Sequence, residues 1–304
     1  MGDIKLFKLH NDQINELEGQ SVAVEKSLQA LVEHHMEALL GVRFLSSEYA
    51  TGKTHRGRID TLGLDENGAP VIVEYKRALN ENVINQGLYY LDWLLDHKGE
   101  FTLLVRDQVG REEADTIEWA NARLLCIAGD FTKFDTYSVQ QIPRNIELLR
   151  YRRYGDELLL LELVNATEGA LEEDPTPEKV SKNKIKYTTV SEHLNNASMD
   201  VKDRFEAMKA FVEALGDDVQ FKTLRYYFAF KRLKNFVCAE VRPQIDTILL
   251  FLKLDPDQID LEEGFSRDVR EIGHYGTGDL EITIKNNADL EKAKPLIVQS
   301  YEKN

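Results

Sequence analysis

The segment from Gly57 to Lys76 constrains the fold more than any other part of the chain. Two β-prone runs, 57–64 and 70–75, are joined by Asp65-Glu66-Asn67-Gly68. An Asn-Gly pair between apolar runs is a strong hairpin signal. A third strand-like run at 42–49 precedes the hairpin, so three neighbouring strands are expected. Residues two apart on a strand share a face, which places Glu74 and Lys76 together on one arm. Asp60 lies on the other arm, and the two carboxylates can approach across the hairpin, depending on register.

Two carboxylates on a rigid sheet are what Mg²⁺ takes from a protein, because it keeps several waters and binds through one or two acidic side chains. A neighbouring ammonium can orient a water and stabilise charge on an attacked phosphate. Acidic residues with a lysine behind the apolar run Val71-Ile72-Val73 are unusual as core. The plainer alternative is a solvent-facing ladder of ion pairs on adjacent strands. Context on either side of the hairpin favours the metal.

Upstream, apolar residues at Val24, Leu28, Leu31, Val32, Met36 and Leu39–Leu40 predict an amphipathic helix ending at Gly41. Downstream, a helix is expected over 81–97, a strand over 101–105, a helix over 111–122 and a buried strand over 123–128. The order α-β-β-β-α-β-α-β implies a mixed sheet flanked by helices. An appended hairpin at 145–154 and 158–164 completes a first domain, 1–164. A polar stretch with Pro175 and Pro177 predicts a linker over 165–186. The remainder, 187–304, carries helical patterns at 189–195 and 203–215. Strand-like runs follow at 223–231, 236–241, 247–252 and 280–284, with a last helix at 288–301, so a second, α+β domain is expected.

Within the predicted helix after Lys76, Gln86 and Tyr90 lie one turn apart. The ordered set Gly57-Arg58-Ile59-Asp60-Thr61-Leu62-Gly63-Leu64-Asp65, Val71-Ile-Val-Glu74-Tyr-Lys76-Arg77 and Gln86-Gly-Leu-Tyr-Tyr90 resembles the PD-(D/E)xK nuclease superfamily. Within it, the pattern over about residues 20–130 is most similar to the nuclease domain of NucS-like endonucleases of the RecB-like branch. The resemblance implies a restriction-endonuclease-like αβββαβ core and metal-dependent endonucleolytic hydrolysis of DNA. It further implies that Asp60 and Glu74 hold Mg²⁺ (or Mn²⁺), with the Tyr75 carbonyl as a third donor. Lys76 would position the attacking water and Gln86 would steady the site. Glu25 fits the family's helix acid best, with Glu33 and Glu37 as alternatives and Glu48 on the first strand. Arg56, Arg58 and Arg77, the basic residues nearest the site in sequence, are with Tyr90 the candidate DNA contacts, and Tyr89 is an alternative to Tyr90 as the ring facing the sheet. The chain departs from the NucS-like pattern in having only about 20 residues before the core and a C-terminal domain after it. That domain looks like an uncharacterised bacterial module, so flap or mismatch specificity does not carry over. A homodimer is left open, and a nuclease-derived fold that binds nucleic acid or protein without cutting is the competing class.

The chain has 304 residues, with 38 Lys+Arg against 53 Asp+Glu, a net charge of −15. Such acidity argues against a protein that coats polyanions wholesale, since that rests on many Lys and Arg contacts to phosphate. It leaves room for an enzyme that engages DNA through one local patch. Besides Arg56, Arg58 and Arg77, the group Arg144, Arg150, Arg152 and Arg153 could supply one. The stretch Lys222–Arg242 interleaves basic residues with Tyr226, Tyr227, Phe228, Phe230 and Phe236, which suits nucleic acid but equally suits an ordinary strand core. No run approaches the ~20 apolar residues of a membrane span, and the N-terminus lacks a signal-peptide core, so a cytoplasmic protein is expected. Thr51-Gly-Lys-Thr54 lacks the first glycine of a phosphate loop, and the seven histidines lack zinc-site spacing. Cys126 sits in an apolar run and is expected in the core. The stretch His274–Asp279 could cradle a ligand through backbone amides or form a tight turn.

Overall fold

The structure is a computed structural model that describes residues 4–10, 13–20, 25–52, 56–76, 83–167 and 188–304. It is mixed α/β, and the chain divides into two compact units, Met1–Asp174 and Pro175–Asn304. Among the described residues no helix is long and apolar enough to cross a membrane.

The first unit opens with a hairpin of β1 (Leu6–His10) and β2 (Gln13–Leu17). The expected first helix is two, α1 (Glu25–His34) and α2 (Met36–Leu40), the second ending at Gly41 with φ +63°. Then come β3 (Val42–Ala50), β4 (Arg58–Asp65) and β5 (Pro70–Lys76), followed by α3 (Val83–Asp96). Two helices, α4 (Lys98–Gln108) and α5 (Arg111–Asp115), lead to β6 (Arg123–Ala128). After α6 (Lys133–Val139) the unit closes with β7 (Asn145–Tyr154) and β8 (Leu158–Thr167). Strands β3 to β8 form one six-stranded sheet in chain order, parallel only at β5–β6 and β6–β7. Residues Pro70 to Tyr75 and all of β6 are buried, as central strands covered on both faces must be.

Asp65 ties the hairpin turn to this centre. Its Oδ1 accepts from the amides of Asn67 and Ala69 at 2.9 and 2.8 Å, and its Oδ2 meets the buried Arg123 guanidinium. Arg123 also lies 3.3 Å from Glu147 on β7, so one cation joins the turn to two central strands.

Several sequence expectations are corrected. The run 101–105 is not a strand but the middle of α4: Phe101 and Val105, four apart, are buried while Leu103 between them is exposed. That is helical periodicity, and it overrides the β-preference of Thr and Val. The helix expected over 111–122 stops at Asp115, where the Thr116 hydroxyl bonds back to the carbonyls of Glu112 and Glu113. A turn of 3₁₀ helix at Trp119–Asn121 follows. The first domain runs beyond 164, because Asn165 and Thr167 satisfy their side chains on Thr136 and Arg144 carbonyls and complete β8. The rest of the expected linker lies outside the described residues. Arg150 is withdrawn from the basic group: it is buried and engaged by Glu162 at 2.6 Å and Asp130 at 3.2 Å.

The second unit contains α7 (Val190–Asn195) and α8 (Met199–Glu213), then β9 (Gln220–Thr223), β10 (Phe228–Lys231), β11 (Asn235–Arg242) and β12 (Thr247–Leu252). Strands β13 (Ser266–Asp268) and β14 (Leu280–Ile284) and helix α9 (Asn287–Lys303) complete it. Its sheet has the order β13-β14-β12-β11-β10-β9 and is antiparallel throughout. The run expected as one strand over 223–231 is instead a hairpin, closed by the Leu224 amide on the Tyr227 carbonyl at 3.0 Å. Phe228, Phe230 and Phe236 are buried in a core with Val201, Phe205 and Ile297, so these aromatics are strand core.

The loop His274–Asp279 is a tight turn stitched onto β11. The Tyr275 amide donates to Glu240 Oε1 at 3.2 Å and the Thr277 amide to Cys238 Sγ at 3.3 Å. Both amides point inward, so neither is left to cradle a ligand. A Cβ on Gly276 would come within 2.7 Å of Cys238, and its φ of +80° also favours glycine.

Candidate metal centre

The ladder between β4 and β5 ends with Thr61 opposite Val73. One step along the same register Asp60 faces Glu74, and there side chains take over from the backbone. The Asp60 amide donates to Glu74 Oε1 at 3.2 Å, and the Tyr75 amide donates to Asp60 Oδ2 at 3.0 Å. Each carboxylate is therefore held by the main chain of the opposite strand. The two carboxyl groups are also within hydrogen-bonding reach of one another.

Strand β3 shows why Asp60 is aimed this way. Ser47 accepts from Gln29 of α1 at 3.2 Å, whereas Tyr49 lies against Trp93 of α3, ring centroids 5.6 Å apart. Helices α1 and α3 serve opposite faces of the sheet, because Glu74 meets Gln86 of α3 while the adjacent Tyr75 meets Thr61 on the α1 side. Residues 47 and 49 of a regular strand would share a face; here the pleat turns over at Glu48, whose φ is +52°. Glu48 stands opposite Asp60 in the register set by Ser47 with Thr61 and Tyr49 with Ile59. Departures from regular pleating are a known means of re-aiming a side chain, and strained backbone concentrates at functional sites.

Glu74 is fully buried. Burial, and then the charge of Asp60, pushes its pKa up to about 9, against the opposing pull of the Asp60 amide and the Lys76 ammonium. Asp60 is raised as well, first by burial, with the Tyr75 amide and Lys76 resisting and Glu48 adding to the rise. Two desolvated carboxyls in contact cannot both ionise cheaply, so without a cation the pair retains a proton near neutrality. Gln86 Nε2 donates to Glu74 Oε2 at 3.2 Å.

Tyr90, one turn beyond Gln86, is buried while Tyr89 is 47% exposed, so Tyr90 is the ring that faces the sheet. Its hydroxyl accepts from the Arg58 amide at 3.1 Å. A Cβ on Gly57 would lie 2.5 Å from the Tyr90 ring, so the strand can meet this tyrosine only with glycine there. Gly57→Ala is expected to destabilise the protein by about 1–3 kcal/mol through overpacking. A Tyr90→Ala background should recover most of that loss, as read from urea midpoints; equal losses in both backgrounds would show that the contact is not the cause.

Of the helix acids, Glu33 is the one tied to β4. Its carboxylate accepts from Thr61 Oγ1 at 2.6 Å and from Gln29 Nε2 at 3.0 Å. This network lies on the α1 side, away from Gln86, so Glu33 supports the strand rather than joining the carboxylate pair. Gln29, which the sequence reading missed, is buried and sits 2.9 Å from the Asp60 carbonyl oxygen. Glu25 opens α1, but its side chain and the whole of Arg77 lie outside the described residues. Glu37 is exposed in the first turn of α2 and makes no side-chain contact with the site among those residues. Arg56 and Arg58 are exposed, and Arg58 lies 3.3 Å from Glu48 in a pair that is exposed on both sides. Such pairs contribute little to stability. Cys126 is buried beside Glu74 in the β5–β6 register, and burial pushes its thiol pKa up, as a core residue requires.

Among the described residues no three His, Cys, Asp or Glu side chains group closely enough to form a closed cage. The donor set fits an ion that takes two carboxylates and keeps its waters, as Mg²⁺ does. A divalent cation would relieve the charge repulsion that now holds a proton on the pair.

Comparison with known proteins adds the following. Residues 190–304 match the model of a domain of unknown function, DUF5655. The chain is 29% identical over 310 residues to an uncharacterised protein of Haemophilus influenzae, covering 98% of this chain and 100% of that one. No solved structure matches.

Proposed function

We propose that the first unit has a restriction-endonuclease-like core and that the chain is a cytoplasmic, metal-dependent nuclease acting on DNA. The observation that carries this is the Asp60–Glu74 pair, cross-held by the main chains of two strands and braced by Gln86. Asp60 and Glu74 would hold Mg²⁺ or Mn²⁺, with the Tyr75 carbonyl as a third donor. The bound ion would supply Lewis-acid polarisation of the phosphate and lower the pKa of a water. Lys76, two residues from Glu74, orients the attacking water and stabilises charge on the phosphate oxygens. The water oxygen bonds to phosphorus as one ester P–O bond breaks, leaving a phosphate-bearing end and a hydroxyl-bearing end. Gln86 keeps the Glu74 carboxylate in place, and Tyr90 fixes the start of β4.

The test is cleavage of single-stranded, duplex and flap DNA by the full chain with Mg²⁺ or Mn²⁺, and its loss with chelator. The competing class, a module that binds without cutting, draws on the absence of a three-carboxylate cage among the described residues. DNA binding with no cleavage under any metal would favour it. On a protein of charge −15, phosphate contacts must come from a local basic surface. Replacing Arg58 and Arg77 together should weaken DNA binding and flatten its salt dependence, since fewer counterions are released. An unchanged salt slope in anisotropy titrations would move the DNA contact elsewhere.

A further inference from the structure

The second unit contains a cavity of about 290 Å³ whose lining includes Thr188, His193, Tyr226, Glu240, Arg242 and Tyr275. This is near the lower end of ligand-pocket sizes, about 300–1,000 Å³. At its base Glu240, 4% exposed, accepts from the Tyr275 amide with one oxygen and from Arg242 Nη2 with the other. The carboxylate is thereby satisfied, and the Arg242 side chain, 48% exposed, is held by one end. Its other guanidinium donors have no further partner among the described residues, and the same is true of the His193 ring, the Thr188 hydroxyl and the Tyr275 hydroxyl.

The aromatic wall has a definite geometry too. Tyr226 and Tyr275 stack with ring centroids 4.6 Å apart and planes 25° apart, and Arg225 lies 5.2 Å from the Tyr226 ring centre. The turn that fixes Tyr275 is the one stitched to β11 by Glu240 and Cys238, so the ring is set by the same bonds that set Arg242. A preformed π-surface beside a fixed guanidinium selects a flat ring joined to an oxyanion. Arg recognises phosphate and carboxylate through paired N–H groups, and aromatic faces stack bases irrespective of sequence.

We propose that this cavity is a binding site for a nucleoside monophosphate, free or as the phosphorylated end of a nucleic-acid strand, with the base against the tyrosines and the phosphate on Arg242 and His193. The proposal does not depend on the nuclease reading. The test is isothermal titration of the full chain carrying Asp60→Asn, which keeps a strand intact if the first unit cuts. Probes are the four deoxynucleoside 5′-monophosphates, the matching nucleosides, inorganic phosphate, and a 5′-phosphorylated tetranucleotide. At least one monophosphate should bind more tightly than both its nucleoside and phosphate alone. Arg242→Gln should weaken it at least tenfold while leaving nucleoside binding unchanged. Tyr275→Ala should weaken monophosphate and nucleoside together, and circular dichroism should show both variants folded. Tetranucleotide binding at or above the monophosphate's affinity identifies a strand end as the source; weaker binding identifies the free nucleotide. No monophosphate binding in the millimolar range, or binding indifferent to both substitutions in folded protein, overturns the proposal.

Discussion

Asp60→Asn and Glu74→Gln should each lower metal-dependent DNA cleavage by at least about a thousandfold while leaving the fold intact. Loss of one carboxylate from a two-carboxylate site removes transition-state stabilisation of several kcal/mol, and about 1.4 kcal/mol is tenfold in rate. Both replacements keep the side-chain size and retain an oxygen that can accept the amide bonds now made by Tyr75 and Asp60, so unfolding is not the expected cause. Lys76→Gln separates the roles: cleavage should fall while the metal concentration for half-maximal activity stays near the wild-type value. Gln86→Ala should act in the opposite sense, raising that concentration more than it lowers the maximal rate, because the Gln86 amide donates to the Glu74 carboxylate. Cleavage at the wild-type rate in either carboxylate variant would remove the pair from the chemistry.

The hairpin at the heart of the site is legible because local rules agree there. Asn67-Gly68 fixes the turn, the alternation fixes the faces, and Gln86 follows from helical spacing. What sequence does not carry is the turnover of the pleat at Glu48 and Asp60. It depends on Gln29, 31 residues from the carbonyl it reaches, and on Trp93 holding Tyr49 from the other side. Neither partner is signalled by any pattern near Asp60. Glu33 stood among three candidate helix acids because helical spacing alone cannot say which turn of α1 lies over β4. Arg150 counted as surface charge for the same reason: its partner Glu162 lies across a hairpin, and one carboxylate in the apolar run Leu158–Val164 reads as an interruption until the strands are paired. The run 101–105 shows a different limit, where a β-prone composition concealed a helical pair, Phe101 and Val105.

Glu74→Gln should also make the metal-free protein more stable, by an amount that depends on pH with a defined sign. Glu74 is raised from an ordinary value of 4.5 to about 9 by burial and by Asp60. Below pH 4.5 the carboxyl is protonated in both folded and unfolded chains, and the folded state has its full advantage. Between pH 4.5 and about 9 the unfolded chain ionises there while the folded chain keeps the proton. Stability then falls by up to about 1.4 kcal/mol per pH unit, and the decline ends above the folded pKa. Glutamine does not titrate, so the variant's advantage should grow across that window, amounting to a few kcal/mol near pH 8. Asp60→Asn should give part of the same effect, since the charge of Asp60 is, after burial, the largest cause of the rise at Glu74. Added Mg²⁺ should narrow the difference, because a cation that binds only the folded state stabilises it by about 2.7 kcal/mol at a hundredfold excess over Kd. The wild type should gain that increment and Glu74→Gln should not. Thermal unfolding at pH 5, 7 and 8.5, with chelator and with Mg²⁺, reads all of these terms on the intact chain. A variant that follows the wild-type pH slope, or that gains equally from Mg²⁺, would mean that Glu74 neither retains a proton in the folded state nor holds the ion.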